Sequence, residues 1–94
     1  MGNRNYDAGR KKEYQSMRRL EVLGFHCCRS AGSHGCADIV AWDASSIKFI
    51  QVKYNCEPTA TEVEAFKALA VPHNAVKAFH LYRKGSKDPI VRLL

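Results

Sequence analysis

The sequence predicts a small α/β domain whose elements run helix, three strands, helix, two strands, around a sheet covered on both faces. Three observations carry this. Apolar residues recur at helical spacing over residues 9–23 and again over residues 59–70. Between and after them, residues 25–29, 36–42, 47–54, 76–83 and 90–94 are rich in β-branched, aromatic and cysteine side chains and are bounded by turn residues. Finally, residues 47–54 are mostly apolar on both faces, Ile47 and Phe49 on one and Ile50, Val52 and Tyr54 on the other, as in a strand buried from each side.

At 94 residues the chain is one domain. A domain of this size buries only about 60–65% of its unfolded surface, which favours help from a partner subunit. Hydrophobic content of 46% and charged content of 26% exclude a disordered tail. A net charge of +6 favours polyanionic partners, nucleic acid first among them. There is no apolar leader and no stretch near the ~20 residues of a membrane span, so no membrane partner is expected and the cytoplasm is the expected compartment. Cys27, Cys28, Cys36 and Cys56 then read as free thiols. His26, Cys27, Cys28, His34 and Cys36 lack the paired spacing of a zinc site, and neighbouring strand residues such as Cys27 and Cys28 diverge.

Residues 1–8 are polar and aperiodic and read as a flexible arm carrying Arg4. The helix of residues 9–23 ends at Gly24, a C-terminal glycine. Met17, Leu20 and Leu23 form its apolar stripe, with Glu13 one turn before Met17, so an acid is aimed at the core. Lys11, Lys12, Arg18 and Arg19 form a basic ridge that suits a solvated face and a DNA-facing one equally. After the first strand, residues 30–35 (SAGSHG) make a loop of small residues whose amides and hydroxyls can approach a phosphate closely. Asp43 to Ser46 is a turn between two central strands. Thr59 to Glu62 is a capping box for the second helix, and Pro72 lies beyond its end.

The polar residues of the central strands point to function. Asp38 shares a strand face with Val40 and Trp42, and Gln51 and Lys53 share one with Ile47 and Phe49. A carboxylate, an amide and an ammonium are costly to bury alone, so they are expected to meet each other, a metal or a substrate. The bland alternative makes Glu13 and Lys53 a buried salt bridge and Asp38 a turn cap.

This order of elements and residues resembles the PD-(D/E)XK nuclease superfamily with its restriction-endonuclease-like core. More narrowly, the whole chain resembles the archaeal-type Holliday junction resolvases, a group also found in phages. The resemblance rests on residues 9–14 (GRKKEY), 29–35 (RSAGSHG), 37–41 (ADIVA) and 49–53 (FIQVK). It implies a mixed central sheet flanked by helices and a metal-dependent endodeoxyribonuclease, a hydrolase of DNA recombination and repair that nicks four-way junctions in pairs. It also implies Mg²⁺, with Mn²⁺ as an alternative, held by Glu13, Asp38, Gln51 and the backbone carbonyl of Val52, with Lys53 orienting water or stabilising charge. By the same resemblance Ser30 and Ser33 lie by the scissile phosphate, and Arg29 contacts DNA, with Arg4, Arg10, Lys11 and His34 as further candidate contacts. The host would be a prokaryote or a phage-infected cell.

Two departures stand out. Ala37 replaces the superfamily's proline, and Gln51 replaces its acid, which removes one anionic ligand and should weaken metal affinity. A C2 homodimer is expected because a four-way junction has approximate two-fold symmetry, with Phe66 and Leu69, or Ile90, Val91, Leu93 and Leu94, as interface candidates. A nickase or flap or duplex nuclease on the same core, and a non-catalytic junction or nucleic-acid binder, remain as alternatives.

Overall fold

The computed structural model describes residues 4–30 and 37–94, with side chains from Ala8 onward. The described elements run α1 (Arg4–Val22), β1 (His26–Arg29), β2 (Ile39–Trp42), β3 (Ile47–Tyr54), α2 (Ala60–Ala68), β4 (Ala75–Tyr82) and β5 (Ile90–Leu93), the predicted order. The strands form one mixed sheet in the order β1-β2-β3-β4-β5. Among the described strands only the β3–β4 pair is parallel, and α2 makes the crossover that a parallel pair requires.

Helix α1 begins at Arg4, ahead of Gly9 where the sequence pattern starts it, and so runs through residues assigned to the arm. A glycine inside a helix costs only about 1 kcal/mol, which an already nucleated helix absorbs. At the other end Gly24 takes a left-handed conformation, φ 99°. The Phe25 amide bonds the Leu20 carbonyl and the Gly24 amide bonds the Glu21 carbonyl, both at 3.0 Å. This is the Schellman closure of a helix. Leu23 is therefore carried out of the apolar stripe and stands 73% exposed.

Leu20 packs with Ile39, Ala41 and Ile50 on one face of the sheet, joined by Met17, Phe25, Cys27 and Val52. On the other face Phe66 of α2 packs with Phe79 and Leu81, joined by Phe49, Val63 and Leu69. Both faces of β3 are thus covered. Phe66 is consumed in this core at 1% exposure, which removes it from the interface candidates. Both halves of the capping box are made at α2: Glu62 N–H to Thr59 Oγ1 at 3.1 Å, and Thr59 N–H to Glu62 Oε1 at 2.8 Å.

Candidate nuclease site

The site lies at the N-terminal start of β2. Ile39, the first residue of β2, pairs with Ile50, and among the described strands only β4 accompanies β3 on to Tyr54. Asp38 fills the space left beside β3. Its amide donates to the Ile50 carbonyl at 2.9 Å, its carbonyl accepts from the Ser30 amide at 2.8 Å, and its carboxylate Oδ2 accepts from the Val52 amide at 2.8 Å. A side chain thus takes the hydrogen bond that a neighbouring strand would otherwise supply. Asp38 is therefore fixed at both backbone and side chain, and the turn-cap alternative captures only part of its role.

Period-two alternation brings Gln51 and Lys53 to the α2 side of β3. Asp38, Gln51 and Lys53 line one cleft of about 320 Å³ with Ala37, Glu62, Ala65 and Phe66. Three of the four predicted cleavage-site side chains on described residues therefore converge. Glu13 approaches from α1, outside that lining, and its carboxylate Oε1 accepts from Arg29 Nε at 2.7 Å. The Glu13–Lys53 bridge of the bland alternative is not the pairing made. Lys53 Nζ instead donates to Glu62 Oε2 at 2.6 Å.

Electrostatics link these groups. Burial pushes the Asp38 carboxyl above its ordinary range, opposed by the Val52 amide and by the Lys53 and Arg29 charges. Burial likewise raises Glu13, the Arg29 hydrogen bond opposes it, and the Asp38 charge raises it further. The Asp38 charge is therefore felt at Glu13, as between carboxylates near one site. Glu62 is held low, chiefly by the Lys53 ammonium and then by the Thr59 amide.

Among the described residues, no three His, Cys, Asp or Glu side chains group as a metal site. The predicted set differs in kind, with two carboxylates, the Gln51 amide oxygen and a backbone carbonyl, all hard oxygen donors. A small divalent cation that keeps several waters needs only one or two carboxylates. With Asp38 and Glu13 both pushed up by desolvation, and Glu13 further by the Asp38 charge, added positive charge beside them would be stabilising. The donor set fits Mg²⁺ or Mn²⁺.

The predicted DNA contacts divide. Arg10 lies close enough to Glu13 to lower its pKa, and Lys11 is exposed on α1. Arg29 pairs with Glu13 and sits 5.1 Å over the Tyr14 ring, and Ser30 abuts Asp38 through its amide. The Arg4 side chain, Ser33 and His34 lie outside the described residues. Lys12, placed on the basic ridge by the helical pattern, instead turns onto the sheet, 5.5 Å and 5.2 Å over the Tyr54 and Tyr82 rings.

Sequence reasoning missed two groups. Glu62 was accounted for as a cap, and only the three-dimensional crossover brings its second oxygen to Lys53. Buried Ser16 meets His80 Nδ1 at 2.9 Å and the Tyr82 hydroxyl at 2.7 Å. Its signal was present, since a serine four residues before Leu20 lies on the stripe that packs the core.

No protein-family model matches the chain, and no curated protein matches it in sequence. Among solved structures, Hjc, a Holliday junction resolvase from the hyperthermophilic archaeon Archaeoglobus fulgidus, matches with a TM-score of 0.71 at 27% identity. The match covers 93% of this chain and 71% of that one. The chain has the fold of an archaeal-type Holliday junction resolvase, and the likeness supports its assignment to that group.

Proposed function

We propose that this chain is a structure-selective endodeoxyribonuclease that resolves four-way DNA junctions by paired, divalent-cation-dependent nicks. The observation that carries the reading is the convergence of Asp38, Gln51 and Lys53 on one cleft, at the strand end where Glu13 senses Asp38. Glu13, Asp38, the Gln51 amide oxygen and the Val52 carbonyl would hold Mg²⁺ or Mn²⁺. Such an ion supplies a water of lowered pKa and positive charge near the reacting phosphate.

The chain's own residues do the rest. The Val52 amide fixes one Asp38 oxygen, Oδ2, at the cleft that Asp38 lines. Lys53 orients the attacking water or stabilises charge developing on the phosphoryl oxygens. Ser30, Arg29, Arg10 and Lys11 would contact the scissile strand, with Ser33, His34 and Arg4 as candidates from the sequence alone, so affinity would be dominated by phosphate charge and fall with salt. A homodimer places two such sites on a two-fold-symmetric junction. Of the interface candidates, Ile90, Val91, Leu93 and Leu94 fit best, being 40–65% exposed in a strand and its extension at the sheet edge. No helix among the described residues is long and apolar enough to cross a membrane, in keeping with DNA work in a prokaryotic or phage-infected cytoplasm.

Incubating the protein with labelled four-way junction, flap and duplex, with Mg²⁺ or with EDTA, tests this. Paired symmetric nicks confined to the junction and abolished by EDTA support it. Equal nicking of all three substrates would make the chain a general nuclease, and band shifts without cleavage a binding module.

A further inference from the structure

We propose that Glu62 is a positioning residue for Lys53, supplying from α2 the negative charge that position 51 lacks. The inference rests on the nuclease reading above and deepens it. Lys53 sits on a strand face whose neighbour two residues back is neutral Gln51, so that neighbour provides no anion to fix the ammonium. A lysine has a flexible four-carbon stem and loses much rotamer freedom when immobilised. Without an anchor its charge would be spread over many positions, and transition-state stabilisation depends on charge held in place beforehand.

Glu62 provides the anchor by geometry. Its two oxygens are divided between two donors, Oε1 accepting from the Thr59 amide at 2.8 Å and Oε2 from Lys53 Nζ at 2.6 Å. The first bond ties the carboxylate to the rigid start of α2, and that helix is fixed to the sheet through Phe66. The second ties the ammonium to the carboxylate. The pair is partly sheltered, with side-chain exposures of 20% for Lys53 and 40% for Glu62, and both residues line the cleft that holds Asp38 and Gln51. An ammonium has three protons, so one bond to Glu62 leaves two for a water or a phosphoryl oxygen. The helix cap and the nuclease site are therefore one structure, sharing a carboxylate.

The chemistry of the side chain makes the test specific. Glu62→Gln preserves shape but puts an NH2 donor where one of the two acceptor oxygens stood, so one of the two donors, the Thr59 amide or Lys53, meets another donor, and it carries no charge. Thr59→Ala removes the reciprocal half of the cap, Glu62 N–H to Thr59 Oγ1, while keeping the Thr59 amide that holds Oε1. It serves as the control for helix stability alone.

Single-turnover cleavage of a four-way junction, junction affinity measured in Ca²⁺ to prevent turnover, and melting temperature are to be recorded for wild type and both variants. The expected result is a fall of at least about tenfold in the Glu62→Gln cleavage rate, with junction affinity within about twofold of wild type. Thr59→Ala should melt lower yet cleave within about twofold of wild type. On a Lys53→Ala background, Glu62→Gln should cost no further rate, because residues acting as a unit are non-additive. Wild-type cleavage by Glu62→Gln, or equal rate losses in Glu62→Gln and Thr59→Ala, overturns the positioning role and leaves the nuclease reading intact. A wild type that binds the junction without cutting it overturns the nuclease reading, and the positioning role with it.

Discussion

Asp38 carries the clearest trade between stability and chemistry at the scale of single residues. Its folded pKa is raised by burial, so the folded state holds the proton more tightly than the unfolded one. The sign follows: stability falls as pH rises from the unfolded value of about 3.9 through the folded one, and at pH 7 the ionised carboxylate is a net cost. Asp38→Asn keeps an oxygen for the Val52 amide and removes the charge. It should therefore melt no lower than wild type at pH 7, with that advantage vanishing below about pH 4, while cleavage is lost. A lower melting point at pH 7 would show that the charge serves structure. Gln51 invites the reverse substitution. Gln51→Glu restores an anionic oxygen beside Asp38, and calorimetry should find Mg²⁺ or Mn²⁺ binding tightened by at least about tenfold, ~1.4 kcal/mol. Unchanged titration curves would remove Gln51 from the ion's surroundings.

The elements were legible to the extent that their signals were local. Glycine closure at Gly24, the Thr59–Glu62 box and the Asp43 turn each depend on a few adjacent residues, and each forms as read. What depended on distant partners was not legible. Lys12 was assigned by helical angle to an outer ridge, but the Tyr54 and Tyr82 rings draw it inward. Phe66 was legible as part of the packing stripe of the second helix yet was also offered as an interface residue, because nothing in α2 alone reveals Phe79, which meets it edge-on at 5.3 Å. The Glu13 and Lys53 charges were legible as in need of partners, but the partners, Arg29 and Glu62, come from other segments. The same limit hid the tie between α1 and β4 made by Ser16, His80 and Tyr82. Burial, with Arg19 and Lys48 nearby, lowers His80 from 6.5 to about 4. A depressed histidine contributes stability that is fully present above pH 6.5 and lost as pH falls through about 4, to a limit of about 3 kcal/mol. Denaturant melts of wild type and His80→Gln across that window check it. The wild-type curve should be the steeper, and parallel curves would mean that His80 binds its proton equally well folded and unfolded.

For the whole molecule, an edge strand exposing Ile90, Val91 and Leu93 is a surface that a monomer does not keep at no cost. Sedimentation should find a dimer in wild type and a monomer in Leu93→Glu, with cleavage by the variant reduced to single, unpaired nicks. A wild-type monomer would move the two-fold symmetry from the protein to the DNA. Basic charge, the mixed sheet and the cleft at the start of β2 then form one account, in which phosphate contacts bring a branched substrate to a site built from α1, β3 and α2. Mapping the cut positions on all four strands of a labelled junction, with wild type and Asp38→Asn in the presence of Mg²⁺, tests that account most directly. It predicts symmetric nicks on two opposed strands by wild type and none by the variant. Uncut strands with wild type, or an identical cut pattern with Asp38→Asn, would contradict it.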